Sequence, residues 1–259
     1  MPFKIRIYNF FIQLIAAFIP FRSKRKEFRN RFKIVPKPKT HLDIGSNKII
    51  CVHNGIEKCV DPSYFKGLEI QISGDNNVIK IHGPYCFENC KIIMDGKNNL
   101  FEFKGSIYAI RETLFNISFS MNNRKVLIEK DCYIGGAVLL SNLSNTTLKI
   151  GEDCMFSAGI HIRTDDGHVI CKKGTKDVIN KGGDVTIGNH VWICRNVFIN
   201  KKVSIGDNCI VASGAVMVKG SADTNVIWGG VPAKIIKRDI DWYRDGYDDF
   251  IMKQADEKR

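Results

Sequence analysis

Towards the C-terminus the apolar positions fall every six residues. Ile187, Ile193, Ile199, Ile205, Val211 and Met217 are all large and aliphatic, and four residues after each stands a small or β-branched residue: Val191, Val197, Val203, Cys209, Ala215 and Ser221. An amphipathic helix would space its apolar residues by three and four, and a half-buried strand by two. A period of six describes short straight segments joined at regular corners. The aliphatic residue fills an interior, and the smaller one is accommodated where the chain turns. Three such segments, about 18 residues, make one triangular turn, and stacked turns give an all-β solenoid, a left-handed parallel β-helix.

A rougher repeat precedes the regular one. Asn76-Asn77, Asn98-Asn99, Asn122-Asn123 and Asn145 recur at intervals of 22 to 24 residues. Each is followed by a short alternating strand: Val78 to Ile81, Leu100 to Phe103, Val126 to Ile128 and Leu148 to Ile150. Asn tolerates left-handed backbone conformations, so it suits a repeated corner. The β-helix is therefore expected over 76–238, as about four irregular coils followed by two tidy ones from 185. Residues 40–75 contain strand-like pieces without a clear register and are read as an N-terminal cap or first coil. Beyond 238 the period stops, and the polar stretch 239–259, with Trp242, Tyr243 and Tyr247, is expected to form a short helix covering the open end, as solenoids require.

Charge changes the picture at one end only. The net charge is +12, yet residues 1–39 hold eleven Lys or Arg and a single acid, Glu27. The body is nearly neutral. Phe3, Ile7, Phe11, Leu14, Ile15 and Phe18 fall at helical spacing, followed by Pro20 and the cationic run Arg22 to Lys26. The apolar run is shorter than the roughly 20 residues a bilayer span takes. No small-x-small cleavage site follows it, which argues against a secretory signal. Residues 1–39 are expected to form an amphipathic helix lying on the anionic inner face of the cytoplasmic membrane. The alternative is a helix packed on the solenoid or on a neighbouring subunit. Basic charge without a defined motif and interleaved aromatics makes no case for nucleic acid.

Nine cysteines, none in a paired CxxC, read as structural thiols in a reducing cytosol. Cys132, Cys154 and Cys209 fall on the small corner positions, where a compact apolar side chain fits.

The candidate chemistry lies in the one long polar interruption, 163–184. A solenoid has no structural need for such a loop, and loops on rigid scaffolds commonly hold sites. His168 stands near its start, beside Asp165 and Asp166. A neutral imidazole can take a proton from a sugar hydroxyl near neutral pH, and a carboxylate can fix its tautomer.

Three ordered motifs, Thr164 to His168, Val185 to Ile193 and Gly229 to Lys234, resemble those of the hexapeptide-repeat O-acetyltransferases. The loop Asp166-Gly167-His168 followed by Asn189 to Trp192 is most similar to the polysialic acid and capsule O-acetyltransferases. The resemblance implies that His168 is the catalytic base, with Asp166 beside it, and that Trp192 lines the acetyl-transfer site. It implies acetyl-CoA as donor, held near Ala212, Ser213, Gly214, Lys219, Gly230, Pro232 and Lys234. It further implies a homotrimer with sites shared between subunits, and a bacterial surface glycan, capsule or lipopolysaccharide, as acceptor. Direct transfer without an acyl-enzyme or a metal is expected. His161 and His190 do not share the ligand spacing of a three-histidine zinc site. One departure is Cys194, where the family prefers glycine after Trp192-Ile193. The rival readings are an acetyltransferase for serine, a free sugar or an antibiotic, and a non-catalytic scaffold.

Overall fold

Ile187, Ile193 and Ile199 sit one on each of three sheets, and one coil later Ile205, Val211 and Met217 pair beside them in register. All six are buried, as are Val191, Val197, Val203, Cys209 and Ala215 at the corners. Each buried aliphatic side chain stabilises by about 1.5–3 kcal/mol, so a six-residue period is enough to hold a coil whose strands are only two or three residues long. The computed structural model describes residues 44–257.

After the first coil the chain visits the three sheets in turn. Sheet I begins at Lys48–His53 and ends at Ser204–Ile205, sheet II runs from Cys86–Glu88 to Ile227–Gly230, and sheet III from Leu68–Ile72 to Val216–Met217. Neighbouring strands of successive coils are parallel. Residues whose register the sequence leaves open form the first coil: Lys48–His53 pairs with Val78–His82, and Leu68–Ile72 with Cys90–Met94. Its period is masked because an antiparallel hairpin strand at the edge of sheet I, Ile56–Cys59, follows in the chain where a sheet II strand is expected.

The corner between sheets III and I is built on asparagine. Asn76, Asn98, Asn123 and Asn145 have φ of 55°, 56°, 57° and 58°. Beside them runs a buried side-chain ladder. The Asn47 carbonyl oxygen accepts from the Asn77 amide at 2.9 Å, and that of Asn77 accepts from the Asn99 amide at 2.9 Å. Asn99 in turn accepts from Arg124 Nε at 3.0 Å. Arg124 is wholly buried and donates to the carbonyls of Asp95, Ile117, Ser118, Met121 and Ser141. At Gly96, φ is +83° and a Cβ would stand 1.9 Å from the Met121 carbonyl oxygen, so only glycine fits.

Cysteine lines the corner between sheets I and II. The thiols of Cys132, Cys154 and Cys209 face carbonyls of the next coil, those of Gly151, Gly188 and Asp223, at 3.1, 3.2 and 3.3 Å.

The chain ends in the expected short helix, reached by a path that the sequence does not announce. A hairpin of Ile227–Gly230 and Ala233–Lys237 closes the solenoid, with Trp228 and Ala233 in the core. The segment after it runs back along the corner between sheets I and II as a strap. The Trp242 ring stacks on His190 at 4.0 Å and 12°, and its Nε1 donates to the His190 carbonyl at 2.8 Å. Arg244 reaches Asp153 Oδ1 at 2.8 Å and lies 4.4 Å over the Tyr108 ring. A short helix, α1 (Tyr247–Glu257), follows. The N-terminal amphipathic helix read over 1–39 lies outside the described residues. Among the described residues no helix is long and apolar enough to cross a membrane.

Candidate active site

The polar interruption leaves sheet III after Ile160–Arg163 and rejoins sheet I at Val185–Ile187. It folds as a hairpin. Ile179 N–H donates to the Ile170 carbonyl at 2.9 Å, and Lys172 N–H to that of Asp177 at 2.9 Å. The returning arm seals against the scaffold where Gly183 N–H donates to the Thr164 carbonyl at 3.0 Å. Gly182 permits that approach, since a Cβ there would stand 2.4 Å from Leu143 Cδ2 and 2.6 Å from the Thr164 oxygen.

Between this hairpin and the irregular corners before it lies a groove of about 660 Å³. His168, Asp165 and Asn180 line it from the hairpin, and Met121, Asn142 and Leu143 from the scaffold. His168 is exposed. Its carbonyl accepts from Asn180 Nδ2 at 2.8 Å, and among the described residues no side chain bonds its imidazole. A ring nitrogen without a protein partner is what a general base needs to meet a hydroxyl.

Asp166 lines the same groove, but its carboxylate does not bond the imidazole. Its carboxylate is held by the Lys201 ammonium and by Asn180 Nδ2 at 2.9 Å. The Lys201 hydrogen bond is the main reason its pKa lies below the ordinary carboxylate value, with Asn180 adding to it. Lys201 carries no motif in the sequence, and only the path of the hairpin brings it to Asp166.

Trp192 lies on sheet II, half-buried, paired with Met155 and Ile210. Its Nε1 is buried without an acceptor, a state that costs about 1–3 kcal/mol. It does not line the groove with His168. Ala212, Ser213 and Gly214 form the corner between sheets II and III, tied to the preceding coil where Gly214 N–H donates to the Arg195 carbonyl at 2.9 Å. Gly214 has φ of +72°, and a Cβ there would meet nothing within 4 Å. Gly230 and Pro232 lie at the tip of the closing hairpin, and the exposed Lys234 pairs opposite Gly229 on its returning strand. Ala212 N–H donates to the Trp228 carbonyl at 2.8 Å, linking this corner to that hairpin. Lys219 stands apart, exposed after the last strand of sheet III, on the same corner as Lys201.

The same sheet II–III corner carries a smaller hollow of about 230 Å³, lined by Tyr133, Gly135, Ser157, Ala158 and Arg195. Its trace in the sequence is the run of small residues at Gly135-Gly136 and Ser157 to Gly159. Cys194 belongs to this corner, and burial pushes its thiol above the ordinary pKa despite the Ser213 hydrogen bond. That fits a tolerated side chain rather than a nucleophile.

The other two histidines of the sequence reading lie apart. His190 bonds Asp153 through Nδ1 at 2.6 Å and the Trp242 carbonyl through Nε2 at 3.0 Å. His161 stacks on Phe198 at 4.8 Å. Among the described residues no cluster of His, Cys, Asp or Glu could hold a metal ion.

The profile of the bacterial transferase hexapeptide family (six repeats) matches residues 184–219. The polysialic acid O-acetyltransferase of Neisseria meningitidis is 33% identical over 190 residues, 69% of this chain and 81% of the relative. That of Escherichia coli O1:K1 is 34% identical over 136 residues, 52% of this chain and 42% of the relative. The crystal structure of the polysialic acid O-acetyltransferase OatWY superposes with a TM-score of 0.67 at 28% identity, covering 81% of this chain and 95% of that one. Such relatives imply that the solenoid is left-handed. With three parallel sheets stacked at the hexad period and a relative of this identity and coverage, the chain belongs to the hexapeptide-repeat O-acetyltransferase family.

Proposed function

We propose that this protein transfers the acetyl group of acetyl-CoA to a hydroxyl of a sialic acid-containing capsule glycan. The observation that carries the reading is His168: an unpartnered imidazole, its main chain held by Asn180, at a groove of about 660 Å³. His168 removes the proton of the attacking hydroxyl. The oxygen then bonds the thioester carbonyl carbon, and the departing coenzyme A sulfur leaves as thiolate and takes up a proton. A hydrogen-bond donor aimed at the developing oxyanion contributes several kcal/mol; backbone N–H groups beside the thioester supply it, because the Nε1 of Trp192 is buried away from the surface.

Acetyl-CoA fits the sheet II–III corner, where Ala212, Ser213 and Gly214 leave the backbone open to close approach and Lys234 offers a cation. This corner and Trp192 lie on different faces from the His168 hairpin. The arrangement favours a site completed between copies of the chain, in keeping with a homotrimer. Sheet III supports this with an outward column of paired residues, Leu114, Val138, His161, Phe198 and Val216. Phe198 is 45% exposed in the single chain. Residues 1–39, by their cations and apolar spacing, would hold the enzyme at the inner face of the cytoplasmic membrane, where surface glycans are assembled.

The test is release of free thiol from acetyl-CoA with polysialic acid, oligosialic acid, neutral capsule oligosaccharides, serine and free galactose as acceptors. Release with the sialylated glycans alone supports the reading. Release with only the neutral or small acceptors overturns it.

A further inference from the structure

His168 is fixed by its main chain, and the groups that fix it form a closed set. Asn180 spends its whole side-chain amide on the opposite arm of the hairpin. Its Oδ1 accepts from Ile170 N–H at 2.8 Å, and its Nδ2 donates to the His168 carbonyl at 2.8 Å and to Asp166 Oδ2 at 2.9 Å. The residue therefore holds the backbone on both sides of Val169. Lys201 ties this arrangement to the solenoid. It sits in the tight corner between Phe198–Ile199 and Ser204–Ile205, and its ammonium donates to the Asp166 carboxylate and, at 2.7 Å, to the Asn180 carbonyl. Both arms of the hairpin are thus gripped by one cation whose own backbone belongs to the rigid coil. Lys201 is largely covered, its side chain 18% exposed, so water competes weakly for these bonds.

We infer that Lys201, Asp166 and Asn180 act as one positioning unit, which sets the place of His168 over the groove while leaving both ring nitrogens free for the acceptor. The unit rests on the reading of His168 as the base. Asp166 is then a positioning residue rather than the partner of the imidazole. A carboxylate on the ring would fix the imidazole but occupy one of its nitrogens; a clamp on the carbonyl fixes the main chain that carries the ring and occupies neither. Charge matters to the unit because a neutral side chain at 201 would leave Asp166 and the Asn180 carbonyl without their shared donor. A misplacement of about 1 Å can lower a rate about 100-fold, which sets the scale expected when the unit is broken.

The experiment compares Lys201→Met, Lys201→Arg, Asp166→Asn and the double variant Lys201→Met/Asp166→Asn with wild type and His168→Ala in the full-length enzyme. Steady-state kinetics are measured with acetyl-CoA and polysialic acid. Expected are a fall in kcat of about 10- to 100-fold for Lys201→Met and for Asp166→Asn, with KM for acetyl-CoA unchanged. Lys201→Arg, which keeps the charge and the donors, recovers most of the loss. The double variant falls no further than either single one, because coupled residues are not additive. Amide exchange at Ile170 rises in the impaired variants while cooperative thermal unfolding is retained. Wild-type kcat in Lys201→Met and Asp166→Asn beside an inactive His168→Ala would overturn the unit and leave the function standing. A loss that Lys201→Arg does not relieve, accompanied by loss of cooperative unfolding, would reduce Lys201 to a structural role. Wild-type turnover in His168→Ala would remove the reading on which the unit rests.

Discussion

The indole of Trp242 lies 5.9 Å from that of Trp192, tilted by 42°, so the C-terminal strap packs directly on the aromatic residue expected at acetyl transfer. The strap is anchored on both sides of this contact, by His190 stacking on Trp242 and by Arg244 on Asp153. A polar tail thereby becomes part of the scaffold that holds Trp192.

Removing Trp242 should be felt in stability and in turnover. Trp242 is 5% exposed, and replacing a buried tryptophan by alanine costs about 3–5 kcal/mol. Trp242→Ala is expected to lower the urea midpoint accordingly and to lower kcat as Trp192 loses its support. A midpoint unchanged from wild type would show that the strap contributes nothing to the folded state.

Arg124 holds the corners that wall the groove. Its guanidinium serves carbonyls at Met121 and Ser141, next to the groove residues Met121 and Asn142. Desolvation pulls its pKa down from the ordinary value, with Asp95 opposing. Arg124→Met removes the cation and leaves buried carbonyls without donors, each worth about 1–3 kcal/mol. Such a change is expected to destabilise by about 3–5 kcal/mol in denaturant unfolding. A loss below about 1 kcal/mol would mean that the carbonyls find water instead.

The pH dependence of the hairpin follows from Asp166. Its folded-state pKa lies below the ordinary 3.8, with Lys201 as the first cause. The stabilisation it confers is therefore fully present above the unfolded value and is lost as pH falls through the lower folded value. Amide protection at Ile170 should hold from neutral pH down to about pH 4 and fail only in stronger acid. Asp166→Asn should abolish this acid transition. A loss of protection between about pH 5 and 7 would assign the hairpin's stability to a histidine instead.

Much of the fold was legible because a solenoid writes its geometry into local spacing. The hexads from Ile187 to Met217 name their own pairing partners, and the asparagines at 76, 98, 123 and 145 mark corners through a conformation few other residues adopt. The first coil was hidden by the hairpin strand Ile56–Cys59, which breaks the three-face rhythm. His168 and its loop stood out as an interruption of the period. Lys201 did not, because an ion pair spanning 35 residues depends on where the hairpin folds. Arg124 looks in sequence like any surface cation, and only the closing of successive corners buries it. The short C-terminal helix is legible in the polar stretch after 238, but the strap that leads to it is not, because Trp242 and Arg244 find partners 52 and 91 residues earlier, with no local period to announce them.

The most direct test of the central claim is turnover of acetyl-CoA with polysialic acid by His168→Ala, with coenzyme A affinity measured in parallel by calorimetry. The account predicts that kcat falls by about 10²- to 10⁴-fold, the usual share of a general base, while coenzyme A binds as tightly as to wild type. Wild-type turnover in His168→Ala would contradict it.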